Sequence, residues 1–187
     1  MTQPDLVALC ETKLHTNSTF EIDGYETRKS SLKAGKEGTL VAAKKGTFHS
    51  IDTVYESESR NIATTEIHYP QEVVRVVVVH GPQEAADKEE KEEFYNDLHA
   101  EVERCMTGGI RIMIVGDFNA KLEQKDGKIN DTTANGKHLK ELIEKYHLKV
   151  VNFNADTEGK WTRIQKKEGV ICKSQIDFLL MLAHSRG

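Results

Sequence analysis

A short apolar run at residues 110–115 constrains the fold of this chain more than any other feature. Its β-branched residues are typical of a strand that is buried on both faces. Gly116 ends the run, and Asp117 and Asn119 follow at once. Side chains two residues apart in an extended chain point to the same side, so this strand is predicted to carry a carboxylate and a carboxamide to the rim of a sheet. Open α/β folds place their chemistry at that rim, although these residue types also form ordinary turns.

Two further apolar segments carry an acidic residue at one end. Residues 6–10 form a strand-like run that is followed by Glu11, and residues 175–180 set Asp177 into an apolar strand. An Asp in such a strand requires a partner, whereas Glu11 taken alone is explained by a solvent-exposed loop. If the strand ends converge, the three carboxylates form an oxygen-rich site for a hard cation such as Mg²⁺ rather than for a metal bound by thiolate or imidazole. The sequence does not give the strand order, so this site is one hypothesis among several.

The remaining pattern alternates strands with two amphipathic helices and indicates an α/β layered fold. We predict strands at residues 39–43, 60–69, 73–79, 148–153 and 161–163, helices within residues 84–105 and at residues 137–146, and loops at residues 28–36 and 123–133. The apolar faces of the two helices are formed by Phe94, Leu98, Val102 and Cys105, and by Leu139, Leu142, Ile143 and Tyr146.

Length and composition limit the class of protein. The 187 residues are expected to form one domain, because no Pro/Gly-rich linker divides them. With 26 Lys and Arg against 30 Asp and Glu, the chain lacks the basic surface of a strong non-specific nucleic-acid binder, but an enzyme that meets phosphates through a metal ion is not excluded. Cys10, Cys105 and Cys172 have no metal-site spacing and indicate reduced thiols. We expect an intracellular protein, nuclear or cytoplasmic, with no membrane partner.

Three segments in this order resemble the endonuclease/exonuclease/phosphatase superfamily: Pro-Asp-Leu-Val-Ala-Leu-Cys-Glu-Thr-Lys at residues 4–13, Ile-Val-Gly-Asp-Phe-Asn-Ala at 114–120 and Ser-Gln-Ile-Asp-Phe-Leu-Leu at 174–180. A His-Gly-Pro after the Val-rich strand, an Asn-Gly before the second helix and a Trp-Thr ahead of the last segment add detail. Together they are similar to the apurinic-type endonuclease domains of non-LTR retrotransposons and to the craniofacial development protein 2-like derivatives of those domains. No motif is specific alone, whereas the ordered set is.

The resemblance implies a DNase I-like four-layer α/β sandwich that hydrolyses DNA phosphodiesters with Mg²⁺ or Mn²⁺. It implies that Glu11 binds the metal together with Asp117. Asp117 would also orient or deprotonate the attacking water, and Asn119 would help to position that water. These residue types suit the reaction, because a metal offsets developing charge and a carboxylate can serve as general base.

The same resemblance implies roles for three residues near the phosphate. Ser174 supports Asp177 in the Ser-x-Ile-Asp motif, and Asp177 holds a histidine that stabilises the scissile phosphate. His80 stands where family members usually have a Tyr that contacts the phosphate, and an imidazole can still donate a hydrogen bond there. That histidine belongs to a Ser-Asp-His segment that this sequence does not contain, and His184, in Ala-His-Ser, is interpreted as a tail residue.

The family pattern also has an Asn-bearing first strand before residue 4 and a final strand after the Ser-Asp-His segment. From these departures we expect a fragment or a degenerate domain that lacks the first and last strands, with little or no nuclease activity in the 187 residues alone. Residues 6–10 or a neighbouring strand would then form an open edge that pairs with a second copy or with a strand-donating partner. Three classes remain open: a DNA endonuclease, a non-catalytic scaffold or binding module, and, least favoured by the motifs, a phosphatase or RNA-directed branch of the superfamily.

Overall fold

The computed structural model describes residues 3–15, 17–30, 38–57, 61–107, 110–126, 128–154, 162–167 and 170–182, and these ranges form thirteen strands, two α-helices and one 3₁₀ turn. The strands are β1 (Leu6–Leu9), β2 (Tyr25–Ser30), β3 (Thr39–Lys44), β4 (Ser50–Glu56), β5 (Ile62–His68), β6 (Val73–His80), β7 (Arg111–Asp117), β8 (Leu122–Lys125), β9 (Lys128–Asp131), β10 (Leu148–Val150), β11 (Arg163–Lys167), β12 (Val170–Ser174) and β13 (Asp177–Leu182). The helices are α1 (Lys88–Thr107) and α2 (Ala134–Tyr146), and the 3₁₀ turn is Val151–Phe153.

A six-stranded mixed sheet with the order β10-β13-β7-β6-β5-β4 forms the centre of the molecule. The strands β6 and β7 run parallel, and every other neighbouring pair in this sheet is antiparallel. Parallel neighbours end at the same edge of a sheet, so the residues that follow β6 and β7 emerge side by side. A second sheet, with the order β1-β3-β2, is antiparallel throughout.

Both faces of the six-stranded sheet are covered. On one face, Phe94 and Leu98 of α1 and Leu139 of α2 pack with buried side chains of β6 and β7. On the other face, Val41 and Ala43 of β3 pack against alternate valines of β6. The described residues therefore form three layers: helices, the six-stranded sheet and the three-stranded sheet. The predicted α/β layered architecture is confirmed, whereas only three of the four layers implied by the family resemblance occur among these residues.

The strongest sequence patterns predicted their elements correctly. The strands predicted at residues 39–43, 60–69 and 73–79 are present as β3, β5 and β6, with residue 60 outside the described ranges. Both helices are present, and the predicted apolar face of each is buried. The second helix begins at Ala134 rather than at Lys137, because the Thr133 side chain accepts a hydrogen bond from the Gly136 N–H and caps the helix.

Several predicted loops and strands need correction. The loop predicted at residues 123–133 contains most of a polar hairpin, β8 and β9. The strand predicted at residues 148–153 ends at Val150 and continues as the 3₁₀ turn. Residues 28–30 of the loop predicted at 28–36 belong to β2, and residues 31–36 lie outside the described ranges, as does Trp161 of the strand predicted at 161–163. The strands β4 and β12 were not predicted.

Within the described ranges, neither helix is long and apolar enough to cross a membrane.

Candidate active site

The end of β7 carries Asp117 to the rim of the central sheet, and a glycine makes this possible. Gly116 has a φ of 144°, and a Cβ atom built there would lie 2.0 Å from the carbonyl oxygen of Val79 on β6. No other residue fits this backbone without moving β6 away from β7. In the parallel register, His80 of β6 stands opposite Asp117. An imidazole and a carboxylate thus leave the sheet as neighbours.

The strand on the other side of β7 supplies a second carboxylate. Asp177 is the first residue of β13 and the antiparallel register partner of Asp117. Its backbone N–H donates to the Thr162 hydroxyl over 3.2 Å, and its carbonyl accepts from the Asn152 side-chain amide over 3.2 Å. These two contacts fix the start of β13 beside the end of β7.

The third carboxylate arrives from the smaller sheet. Glu11 follows β1 with a φ of 52°, and its Oε1 lies 3.3 Å from Nε2 of His80. The Glu11 side chain is 54% exposed and the His80 side chain 19% exposed, so the pair lies at the surface end of the site. Glu11 is exposed, as expected for a loop carboxylate, but the sequence alone did not indicate its contact with His80.

The thiol of Cys10 lies among these carboxylates. Burial raises its pKa most, the N–H of Asp117 lowers it, and the negative charges of Asp117, Asp177 and Glu11 each raise it further. This agrees with the geometry, in which Asp117 is the register partner of both Asp177 and His80, and His80 contacts Glu11. Elevation of the pKa keeps this thiol protonated and weakly nucleophilic.

Asp117 has a perturbed titration for related reasons. Burial raises the pKa of its carboxyl group, and the charges of Asp177 and Glu11 raise it further. The Asn119 N–H, which donates to Asp117 Oδ1 over 2.7 Å, and the nearby His80 imidazole lower that pKa. Like charges held together in a partly buried place are typical of sites that bind cations or transfer protons.

The backbone conformation of Asn119 differs from the one predicted. The prediction assumed an extended chain, but Asn119 has a φ of 46°, in the left-handed region. Its side-chain amide donates to the Gly81 carbonyl over 2.9 Å, while the Gly81 N–H donates to the Asp117 carbonyl over 2.6 Å. The loops that follow β6 and β7 are therefore joined by two hydrogen bonds.

The remaining predicted residues lie at the edge of the cluster or outside the described ranges. Ser174 ends β12, and its carbonyl accepts from the Thr162 N–H over 3.1 Å. His184 lies outside the described residues.

Next to His80 is a cavity of about 410 Å³, which Asn61, Pro82 and Gln83 help to line.

Of the residues that support this cluster, Cys10 and Thr162 were part of the family resemblance, in its first segment and in the Trp-Thr pair, but no role in the site was predicted for either. Cys10 was interpreted only as a reduced thiol, although its place directly before Glu11 was the available signal. Thr162 and Asn152 hold the start of β13 from 15 and 25 residues away. Hydrogen bonds over such separations leave no periodic pattern in a sequence.

The carboxylates in this region suit an open site for a hard divalent cation, in which water or substrate completes the coordination, rather than a site closed by protein ligands alone. Among the described residues, no three His, Cys, Asp or Glu side chains are arranged so that they could hold a metal ion. Mg²⁺ commonly binds through one or two carboxylates and keeps water or substrate oxygens as its other ligands. Glu11 and Asp117 could supply those two carboxylates, and the crowding of negative charge that raises the pKa of Asp117 is what a cation would relieve.

The fold and this carboxylate-rich rim define a nuclease- or phosphatase-type α/β domain. Residues 2–163 match the model of the Endonuclease/Exonuclease/phosphatase family, and the chain belongs to that family. No curated protein matches the chain.

Solved structures with a similar fold include three nuclease or phosphatase domains. The endonuclease domain of TRAS1, a telomere-specific non-LTR retrotransposon, is 18% identical with a TM-score of 0.58, over 86% of this chain and 68% of that one. The 3′ phosphatase NExo from Neisseria, bound to a product DNA hairpin, is 17% identical with a TM-score of 0.68, over 95% and 76%. The catalytic domain of Xenopus laevis APE2 is 17% identical with a TM-score of 0.64, over 95% and 74%. These similarities confirm the DNase I-like fold predicted from the motifs.

Proposed function

We propose that the chain is a metal-dependent DNA endonuclease domain of the retrotransposon type, which hydrolyses phosphodiesters. The observation that carries this proposal is the convergence of Glu11, Asp117 and Asp177, from three distant segments, on one rim of the sandwich. The retrotransposon-type motifs and the likeness to the TRAS1 endonuclease domain support the finer assignment.

In this proposal Glu11 and Asp117 hold Mg²⁺ or Mn²⁺. When bound, such a cation would offset the negative charge that develops on the phosphate. Asp117 accepts a proton from the attacking water, which its raised pKa favours, and Asn119 helps to position that water. Asp177, with Ser174 as support, would add a second carboxylate beside Asp117. His80 would donate from Nε2 to a phosphoryl oxygen once Glu11 releases that nitrogen to bind the cation.

DNA is the proposed substrate, and the hairpin formed by β11 and β12 is the proposed contact. It lies directly before β13, and its register places Ile164 opposite Lys173 and Lys166 opposite Ile171 on one face. Ile164 is 66% exposed and Ile171 64% exposed, and both lysines are exposed. On a chain of net charge -4, this face offers lysines for the phosphates and exposed apolar side chains for the bases of a nucleic acid.

We also propose that the 187-residue polypeptide has low activity. Within the described residues, His80 is the histidine whose charge acts on Asp117, and its Nε2 is held by Glu11. A cation and an imidazole would therefore compete for one carboxylate. While Glu11 holds Nε2 of His80, that nitrogen cannot donate to the phosphate. Loss of a single such donor costs roughly 10²–10³ in rate in other enzymes.

A plasmid-nicking assay tests the proposed reaction. The polypeptide should convert supercoiled DNA slowly to the open circle in Mn²⁺ and not in excess chelator. Asp117→Asn should lower the rate by at least about 10²-fold, because an amide cannot accept the proton. Asp52→Asn, on the exposed side of β4, is the matched control and should keep the full rate. Nicking that persists in Asp117→Asn, or a folded wild-type chain without any nicking, would contradict the enzyme assignment.

A scaffold or binding module that associates through a sheet edge is the second candidate, and the character of β1 favours it. In the described part of the structure β1 forms one edge of the three-stranded sheet, with the uncharged sequence Leu-Val-Ala-Leu and with Leu9 41% exposed. The edge strand β4 is protected differently, by a bulge between Thr53 and Tyr55 and by charged side chains. Uncharged edges are templates for pairing with another chain, either a second copy or a strand-donating partner.

Sedimentation velocity at rising concentration tests this association. We expect a monomer–dimer equilibrium that Leu9→Lys shifts to monomer, because a charge on the edge opposes strand pairing. Val54→Lys, at an exposed position of β4, should leave the equilibrium unchanged. A strictly monomeric chain, or equal effects of both substitutions, would rule out the β1 edge.

A further inference from the structure

A buried amide lies behind the two loops that carry the proposed catalytic groups. Asn135, in the first turn of α2, is 0% exposed. Its Nδ2 donates to the Pro82 carbonyl over 2.7 Å and to the Asn119 carbonyl over 3.3 Å. Pro82 belongs to the loop after β6 and Asn119 to the loop after β7. One side chain thus joins both loops to the start of a helix.

The surroundings of Asn135 fix its position from three sides. Tyr95 of α1 donates its hydroxyl to the Asn135 carbonyl over 2.9 Å. The Glu84 carboxylate accepts from the Ala134 N–H over 2.9 Å and from the Asn135 N–H over 3.4 Å. Gly136 packs so closely that a Cβ atom there would lie 2.5 Å from the Lys121 carbonyl oxygen. The amide is held by contacts that leave it little freedom.

The Asn135 side chain is oriented so that its NH₂ group donates to the two loops while its oxygen is left without a hydrogen bond. Asn135 Oδ1 is buried and has no hydrogen-bond partner among the described residues. An unpaired buried acceptor is costly, and the reversed orientation would place that oxygen against two carbonyl groups. The arrangement therefore commits both amide hydrogens to the carbonyls of Pro82 and Asn119 and leaves the oxygen unpaired.

We infer that Asn135 is a positioning residue for the reaction of this domain. It sets the separation between the loop that carries His80 and the loop that carries Asp117 and Asn119. It touches neither a substrate nor a metal and acts through those loops. This inference rests on the proposed function for its catalytic meaning, but the geometry it describes is independent of any ligand.

Amide hydrogen exchange measured by NMR tests this geometry without metal or DNA. The Gly81 and Asn119 N–H groups report on how the loops after β6 and β7 are held together, because both donate to Asp117. In Asn135→Ala their exchange should quicken about tenfold more than exchange at Leu98 in the core of α1. Asn135→Asp, which keeps the shape but cannot donate, should give the same local effect and serves as a second variant if the first does not fold. Equal acceleration at Gly81, Asn119 and Leu98 would overturn the inference.

Mn²⁺ affinity gives the second readout, with Ile143→Val as the matched control. Ile143 is a buried residue of the same helix, and its shortening lowers stability without touching either loop. Both Asn135 variants should weaken Mn²⁺ binding about tenfold, whereas Ile143→Val should not. If Ile143→Val weakens binding equally, Asn135 serves only stability and the inference fails. A wild-type chain that binds no Mn²⁺ would instead contradict the proposed function, and the exchange experiment would still decide the role of Asn135.

Discussion

Gly116→Ala should cost roughly 4 kcal/mol or more of the free energy of unfolding, or abolish folding altogether. The added Cβ would lie 2.0 Å from the Val79 carbonyl oxygen, and neither strand can yield easily in the middle of a six-stranded sheet. The φ of 144° adds backbone strain for any residue with a side chain. Urea denaturation followed by circular dichroism measures the loss.

Gly24→Ala separates the clash from the backbone effect. Gly24 also has a positive φ, of 80°, but a Cβ atom there would meet nothing within 4 Å. It should lose only about 1–2 kcal/mol, the usual cost of a left-handed conformation. If Gly116→Ala loses no more than Gly24→Ala, β6 and β7 do not approach as closely as described, and the placement of Asp117 beside His80 would need revision.

Asp117→Asn should raise stability in the absence of metal while it removes activity. Burial and the charges of Asp177 and Glu11 raise the pKa of Asp117, so its ionisation costs more in the folded chain than in the unfolded chain. Asparagine avoids this cost and can still accept from the Asn119 N–H. We expect a gain of roughly 1 kcal/mol at neutral pH, because water screens a partly exposed carboxylate, or about 2–4 °C in Tm.

The pH dependence of that gain has a definite sign. A raised pKa means that the folded chain binds the proton more tightly, so wild-type stability falls as pH rises from the unfolded to the folded pKa. The advantage of Asp117→Asn should therefore be absent at acid pH, grow through that window and remain constant above it. Thermal unfolding in chelator across this range measures it, with Asp52→Asn as a control that should stay within about 0.5 kcal/mol of wild type. An Asp117→Asn variant that is less stable at neutral pH would show that the carboxylate is not repelled by its neighbours.

How much of this could be predicted from the sequence depends on the physical origin of each feature. Burial on a regular backbone leaves a periodic pattern, so the runs that became β6 and β7 and the apolar stripe of α1 were predicted correctly. The strand β4 was missed because it lies at an edge, with mostly exposed residues and a bulge. The hairpin of β8 and β9 was taken for a loop because its polar residues carry turn signals and no apolar alternation.

The candidate site divides in the same way. Strand ends that carry an acid were visible in the sequence, and the ordered motifs suggested that Glu11, Asp117 and Asp177 belong together. Three features depend on contacts between distant segments: the left-handed conformation of Asn119, the contact between Glu11 and His80, and the amide of Asn135. No local pattern encodes such contacts, so they became visible only in the folded chain.

Calorimetric titration with Mn²⁺ tests most directly the claim that carboxylates from separate segments form one cation-binding rim. The account predicts one site in the wild-type chain, with affinity lowered at least about tenfold in both Glu11→Gln and Asp117→Asn and unchanged in Asp52→Asn. Absence of binding, or binding that neither Glu11→Gln nor Asp117→Asn weakens, would contradict it.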